Sequence, residues 1–262
     1  MTECRTGLIL SPRWEAELAH VQMLGSPVWL PWVSNQLPEI VKPIPTPPVL
    51  QQRFQDCVPC ALVTAMAAQL GCLEGSCLFS PLSLYNRINN GHDYGSSLAM
   101  AVRALRLWGV CTTDRMPYAG PGAPTWESLV PSTPYVIVGY RCVLPSRPGN
   151  VNLIKRELAK GQIVIIGMSV GDDWRNYRSG VIEGESHPTG AHAVILTGYD
   201  SNVYDVDDVF VGDVFRGQNS WGRTWGERGM FRVSADCIRR SHYTAWVVDT
   251  SKYGYWGGRL GT

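Results

Sequence analysis

The chain has 262 residues, of which 45% are hydrophobic and 17% are charged, and its 23 basic and 22 acidic side chains leave a formal net charge of +1. A chain of this length buries about three quarters of the surface that it exposes when unfolded, which excludes overall disorder and favours one large domain or two closely packed lobes. The balanced charge is not typical of a protein that neutralises many phosphates, so nucleic acid is not expected as a partner.

The sequence predicts neither export nor membrane insertion. No apolar run approaches the roughly 18 residues that cross a bilayer. The first residues, MTECRTGLILSP, lack a basic stretch followed by a sustained apolar segment. We therefore expect no signal peptide, no transmembrane segment and no membrane partner, and a location in the cytoplasm or in a viral particle.

The N-terminal part of the chain is predicted to form a short helix followed by an extended strap. Within residues 11–24, Trp14, Leu18 and Val21 recur at the spacing of one helix face. Residues 27–48 contain seven prolines and two tryptophans, a composition that favours extended backbone laid over a surface. We assign residues 1–47 to an N-terminal extension.

Three helices are predicted further along the chain. Residues 57–70 are rich in Ala, Leu and Met and are followed by a glycine, which indicates a buried helix. The segment SSLAMAVRALRLWG predicts a second helix, capped by Ser96 or Ser97 and ended by Gly109. Residues 151–160 predict a third helix, which also ends at a glycine.

The second half of the chain has the pattern of β-strands. Short β-branched and aromatic runs alternate with Gly, Pro, Asp and Asn, and these runs are PYVIVGYRCV, QIVIIGMSV, HAVILTGYD, DVFVGDVF and GMFRVS. Helices first and strands afterwards predict an α+β fold, in which a helical N-terminal half faces a mostly antiparallel β-rich half across a cleft.

Three segments carry residues suited to nucleophilic catalysis. In QQRFQDCVPCAL, Cys57 opens the predicted helix, where the positive end of the helix dipole favours a thiolate. In GAHAVILTGYD, His192 stands at the start of an apolar strand, and in QNSWGRTWGERGMFRV, Asn219 precedes a run of tryptophans and glycines. Each segment alone is a weak signal, whereas the three together indicate a Cys–His–Asn arrangement.

In their order along the chain and in their local sequence, these segments resemble the papain-like cysteine peptidases, in particular the bacterial and viral members of that family. The similarity extends through SPLSLYNR, GSSLAMAVRALRLWGVC and RMPY and covers roughly residues 48–248. It implies a papain-like two-lobed fold with Cys57 as nucleophile, His192 as acid and base, Asn219 as the orienting residue and Gln51 as a donor to the oxyanion. It implies neither a metal nor another cofactor.

The resemblance also implies substrate-binding roles for two residues. Gly95, in the DYGSS loop, would let a substrate backbone approach, although a simple turn before a helix explains the same glycine. Trp221 would shield the bond between His192 and Asn219 from water. A thiolate facing an imidazolium is stabilised by it, so the pair is expected to lower the pKa of the Cys57 thiol.

The Cys-Val-Pro-Cys sequence leaves other interpretations open. The more familiar family pattern would make Cys60 the nucleophile, but only Cys57 keeps a glutamine six residues upstream, since Phe54 stands six residues before Cys60. The same four residues resemble a thioredoxin-type redox pair or half of a zinc site. Neither the strand that leads into a redox pair nor a second pair of metal ligands is present.

The sequence therefore predicts a cysteine-type peptidase that cleaves a peptide or protein substrate through a thioester on Cys57. One alternative is a papain-fold component of a larger assembly such as a virion, with vestigial catalysis and with partner contacts through the Trp- and Pro-rich arm and the C-terminal tail. Another is a peptidoglycan-peptide hydrolase or a transamidase.

We divide the chain into the extension 1–47, a peptidase domain 48–248 and a tail 249–262. The extension is short for an inhibitory propeptide, so zymogen control is not expected.

Overall fold

The computed structural model describes residues 5–9, 36–118, 135–144, 150–184, 187–204 and 208–250. In these ranges the α-helices are α1 (Cys57–Gln69), α2 (Pro81–Asn89), α3 (Leu98–Trp108), α4 (Val151–Ala159), α5 (Asp172–Asn176) and α6 (Ala235–Ser241). The strands are β1 (Ile40–Val41), β2 (Gly139–Leu144), β3 (Val164–Val170), β4 (Gly190–Tyr204), β5 (Phe210–Gln218), β6 (Met230–Ser234) and β7 (His242–Asp249). The helix predicted over 11–24, residues 27–35 of the strap and residues 251–262 of the tail lie outside the described ranges.

The strands form one sheet in which every pairing between them is antiparallel. Its order is β2-β7-β3-β4-β5-β6, and β1 pairs with β4. The long strand β4 is the centre of this arrangement, since it pairs with β3 along its first half and with β5 along most of its length. The predicted α+β architecture with an antiparallel sheet is confirmed.

Both faces of the sheet are buried, and β3 shows how one strand serves both of them. Ile165 points to the side covered by α1 and α3, whereas its neighbours Val164 and Ile166 point to the opposite core with α4 and α6. Alternate side chains of a strand face opposite sides, so a run of apolar residues with no polar alternation is what a doubly covered strand requires.

Local patterns predicted most of these elements closely. The helix expected over 57–70 is α1, and Ser97 caps α3 by accepting a hydrogen bond from the Met100 backbone N–H at 3.2 Å. The strand expected from residue 134 begins later, at Gly139. β7 was not predicted, because its sequence follows α6 with no glycine or proline between them.

The described part of the strap, residues 36–48, lies against β4 and β5. Tyr199 donates a hydrogen bond to the carbonyl of Pro38 at 2.7 Å, and Gln218 donates one to the carbonyl of Pro47 at 3.2 Å. Proline has no N–H, so the prolines of this segment can be held only through their carbonyl groups. The division of the chain at residues 47 and 248 remains a prediction.

Among the described cysteines, one pair is bonded and the rest are free. Cys72 and Cys77 form a disulfide with a Cα–Cα separation of 5.7 Å. Cys57 and Cys60 are free and buried, so the structure does not bond the Cys-Val-Pro-Cys pair. No helix in the described part of the chain is long and apolar enough to cross a membrane.

The largest contribution of β7 to the core is the fully buried side chain of Trp246. We expect Trp246→Ala to lower the free energy of unfolding by about 3–5 kcal/mol, because it removes a large apolar side chain and leaves a cavity. Trp108→Ala is the matched control, since Trp108 is 48% exposed. Urea denaturation followed by circular dichroism measures both, and similar losses in the two variants would contradict the prediction.

Candidate active site

Cys57 is the first residue of α1, and its side chain is fully buried. Pro59 lies in the first turn of this helix, where its missing N–H leaves no internal hydrogen bond unmade. The Cys57 thiol is within reach of backbone N–H groups of Ala193, Gly7 and Val58. The helix start therefore meets β4 at the residue that follows His192.

His192 is held by Asn219. Its Nε2 lies 2.7 Å from Asn219 Oδ1, so the ring donates from Nε2, and Nδ1 has no hydrogen-bond partner among the described residues. The antiparallel pairing of β4 and β5, with Ile195 opposite Gln218, brings these distant residues together. The arrangement leaves Nδ1 available for proton transfer.

Asn219 and Trp221 form a rigid support around the imidazole. The Asn219 backbone N–H donates to the carbonyl of Gly229 at 2.9 Å, and the Ser220 N–H donates to Asn219 Oδ1 at 2.7 Å. The Trp221 ring stacks on His192 with the ring centroids 4.5 Å apart. The tryptophan thus covers the face of the imidazole, next to its bond with Asn219.

The segment that contains Gln51 runs beside Trp221. Gln51 and Trp221 form an antiparallel bridge, and the Gln52 backbone N–H donates to the carbonyl of Ser220 at 2.6 Å. Gly222 has φ +80°, and a side chain there would overlap the Gln51 amide oxygen. Gln52 was not singled out from the sequence, yet its amide oxygen accepts a hydrogen bond from the Ser220 hydroxyl at 3.0 Å.

Residues 5–9, which we call the N-terminal segment, lie between the loop before α3 and the start of β4, next to the candidate residues. The Ser96 backbone N–H donates to the carbonyl of Gly7 at 2.8 Å, and the Ile9 N–H donates to the carbonyl of Ser96 at 3.0 Å. The Leu8 N–H donates to the carbonyl of Ala191 at 3.3 Å. The segment is therefore bonded both to the loop before α3 and to β4.

Two side chains anchor the N-terminal segment. Leu8 is buried against Gly167 and Leu98, and a Cβ added at Gly167 would come within 2.6 Å of Leu8 Cδ2. The Trp221 indole N–H donates to the carbonyl of Arg5 at 2.8 Å. Gly95, predicted to face a substrate backbone, has φ +83° and faces the Gly7 carbonyl, so a side chain there would collide with this segment.

The protonation states differ from those expected for an ion pair. Burial is the largest influence on both groups: it raises the pKa of Cys57 to about 12 and lowers the pKa of His192 to about 4, although the Asn219 bond partly opposes the latter. Both groups are therefore neutral at pH 7. The expected lowering of the thiol pKa is wrong for this arrangement, because burial outweighs the backbone groups that favour the thiolate.

Some residues around the site reach it only through contacts between segments far apart in the chain, and these were not predicted from the sequence. The N-terminal segment, Gln52 and Ser220 carry no motif that marks them, and Asp56 was passed over beside the cysteine. Asp56 is fully buried and accepts a hydrogen bond from the Tyr118 hydroxyl at 2.8 Å. Among the described residues, no three His, Cys, Asp or Glu side chains are grouped so that they could hold a metal ion.

Comparison with known proteins reveals related sequences. Falcipain-2a of Plasmodium falciparum is 31% identical over 136 residues, which are 50% of this chain and 27% of that protein. Cathepsin B-like cysteine proteinase 2 of Haemonchus contortus is 34% identical over 107 residues, 38% of this chain and 29% of that protein. The chain thus spans less than a third of the length of these relatives.

Solved structures share the fold. Xylellain, a cysteine protease from Xylella fastidiosa, has a TM-score of 0.69 at 23% identity and covers 96% of this chain and 100% of its own. Procathepsin B S9 of Trypanosoma congolense has a TM-score of 0.69 at 16% identity, covering 94% of this chain and 87% of its own. The papain-like fold implied by the sequence resemblance is confirmed.

The family model that matches this chain is that of the papain family cysteine proteases, over residues 85–246. The match includes His192 and Asn219 and begins after Cys57. Residues 85–246 are more than half of the chain, and the chain belongs to the papain family of cysteine proteases.

Proposed function

We propose that this chain is a cysteine peptidase that hydrolyses peptide bonds through a thioester on Cys57, with His192 as acid and base. The observation that carries the proposal is the 2.7 Å bond between His192 Nε2 and Asn219 Oδ1. This bond leaves Nδ1 as the proton acceptor, and the Cys57 thiol lies against the backbone of the next residue, Ala193. A nucleophile, a base and an orienting group are thus supplied by three separate elements.

The reaction follows from these positions. The Cys57 thiol transfers its proton to His192 Nδ1, and the thiolate attacks the carbonyl carbon of the scissile bond. The Gln51 amide and the Cys57 backbone N–H are the proposed donors to the oxyanion, and loss of one such donor costs about 3–4 kcal/mol of transition-state stabilisation. The imidazolium then protonates the leaving amine, and a water molecule activated by His192 hydrolyses the thioester.

The N-terminal segment blocks this reaction in the described arrangement. The Gly7 carbonyl accepts a hydrogen bond from the Ser96 N–H, and the Gly7 backbone is within hydrogen-bonding reach of the Cys57 thiol. The segment thus lies against the thiol, where a substrate would have to bind. A peptide substrate that displaces it would take over the backbone bonds of Ser96 and Ala191, beside Gly95 and Trp221.

The proposal is tested by labelling and hydrolysis with two cysteine variants. We expect an epoxysuccinyl probe to label the chain and Cys60→Ala, and fluorescently labelled casein to be cleaved by both, whereas Cys57→Ala should show neither activity. Tryptic peptides analysed by mass spectrometry identify the labelled residue. Retained hydrolysis in Cys57→Ala, or loss of labelling only in Cys60→Ala, would overturn the assignment of Cys57.

The other predicted roles stay open for two different reasons. The assembly role depends on the N-terminal arm and the C-terminal tail, and residues 10–35 and 251–262 are outside the described ranges. The peptidoglycan hydrolase and transamidase roles use the same acyl-enzyme chemistry. These roles and the cellular location stay predictions.

A further inference from the structure

Asp56 is a buried carboxylate that stands directly before the proposed nucleophile and has no role in the mechanism above. Its side chain is fully buried, and it occupies the N-cap position of α1. An aspartate at this position ordinarily accepts a hydrogen bond from a backbone N–H in the first helical turn. Here the side chain makes no such bond.

Its carboxylate is turned towards Tyr118 instead. The Tyr118 hydroxyl donates to Asp56 Oδ2 at 2.8 Å and accepts from the Arg53 backbone N–H at 3.1 Å, while Asp56 Oδ1 has no hydrogen-bond partner among the described residues. Cys60, one turn along α1, lies 3.7 Å from the same hydroxyl. The segment before α1 and the residues after α3 thus meet at this carboxylate.

Among the described residues no ion pair includes Asp56, and no basic group is among the main influences on its pKa. The titratable groups that face it are Tyr118, Cys60 and Cys57, and burial raises the pKa of each of them, so all three are neutral near pH 7. A carboxylate left without a counter-ion disfavours a second negative charge beside it.

We propose that Asp56, held by Tyr118, is a positioning residue that opposes ionisation of the Cys57 thiol and thereby sets the pH range in which the nucleophile reacts. The proposal rests on the proposed function of Cys57. Burial raises the pKa of Asp56 itself to about 6, so the carboxylate is charged at neutral pH and loses its charge in mildly acidic solution. Its charge also raises the pKa of Cys57.

The test is the pH dependence of Cys57 alkylation in the full-length chain. Iodoacetamide is the reagent, and fragment ions in mass spectrometry distinguish Cys57 from Cys60. With Asp56→Asn, we expect the midpoint of the rate profile to move to lower pH by about one unit or more, which is about a tenfold faster reaction at a fixed pH below the midpoint. An unchanged midpoint would overturn the proposal.

Tyr118→Phe tests the second part of the proposal. Removal of the hydroxyl takes a hydrogen bond from the charged form of Asp56, so the carboxylate should stay protonated to higher pH. Alkylation just above the raised pKa of about 6 should therefore accelerate, as in Asp56→Asn. Because Tyr118 acts through Asp56, Tyr118→Phe should add no further shift in the Asp56→Asn background. Additive shifts in the double variant would contradict this coupling.

A purely structural role for Asp56 would change stability without moving this profile. Glu157→Gln is the matched control, because Glu157 is also a buried carboxylate but is paired with Arg141 and Lys160. We expect it to lower the melting temperature and to leave the Cys57 midpoint unchanged. If the midpoint shifts but casein is not cleaved, the proposed function fails and the role of Asp56 stands. If Cys57-dependent cleavage occurs without a shift of the midpoint, the proposed function stands and the role of Asp56 fails.

Discussion

Replacement of His192 by alanine is expected to reduce kcat for casein hydrolysis by about a thousandfold or more. The imidazole takes the thiol proton and returns it to the leaving amine, and a positioned acid or base contributes about 10²- to 10⁴-fold to such a reaction. The variant also loses the group that accepts the thiol proton, so the rate of alkylation of Cys57 should fall with kcat. Initial rates of casein cleavage and of iodoacetamide labelling measure the two effects.

The control for this prediction is a second buried histidine. His242 is fully buried on β7, where its Nδ1 is 2.7 Å from the carbonyl of Ile238. His242→Ala should therefore change stability and leave most of the catalytic rate in the fraction that folds. Equal losses of kcat in the two variants, with both shown to be folded by circular dichroism, would refute the specific role of His192.

The substitution Leu8→Asp is expected to accelerate alkylation of Cys57 by about a hundredfold. Burial of a leucine side chain contributes about 1.5–3 kcal/mol, and each backbone hydrogen bond about 1 kcal/mol, so loss of the anchor should shift the N-terminal segment towards a displaced state. An aspartate in the pocket of Gly167 and Leu98 would be an unpaired buried charge. Iodoacetamide labelling and casein cleavage should both increase.

Ile9→Asp is the matched control, because Ile9 is the next residue and is 42% exposed. It should change the labelling rate little. Gly7→Val supplies an independent disruption, since any side chain at this position would overlap the Gln55 carbonyl. If neither Leu8→Asp nor Gly7→Val accelerates labelling, the N-terminal segment does not protect the thiol in solution.

The placement of the candidate residues shows which parts of a site can be predicted from local sequence. Cys57 was assigned by its helix start and by the glutamine six residues before it, and in the structure it opens α1 with its thiol in reach of the Ala193 backbone on β4. His192 lies on β4 and Asn219 directly follows β5, and their side chains are hydrogen-bonded at 2.7 Å. These residues can be predicted from the sequence because each stands near the boundary of a strongly patterned helix or strand.

The protonation states were not predictable in the same way. The sequence favoured a thiolate at a helix N-terminus, whereas burial of Cys57 and His192 keeps both groups neutral. Desolvation depends on what covers a group, and here the cover comes from residues about fifty positions earlier in the chain. A local motif contains no information about such a contact.

By itself, the sequence determined the α+β class, the buried helix that begins at Cys57 and the family to which the chain belongs, because these follow from hydrophobic periodicity and from the local wording of three segments. Only the tertiary structure decided that residues 5–9 lie over the thiol and that Asp56 turns towards Tyr118 rather than capping its helix. The physical reason is that periodicity is a property of neighbouring residues, whereas the cover of a site and the charges around it depend on contacts between segments far apart in the chain.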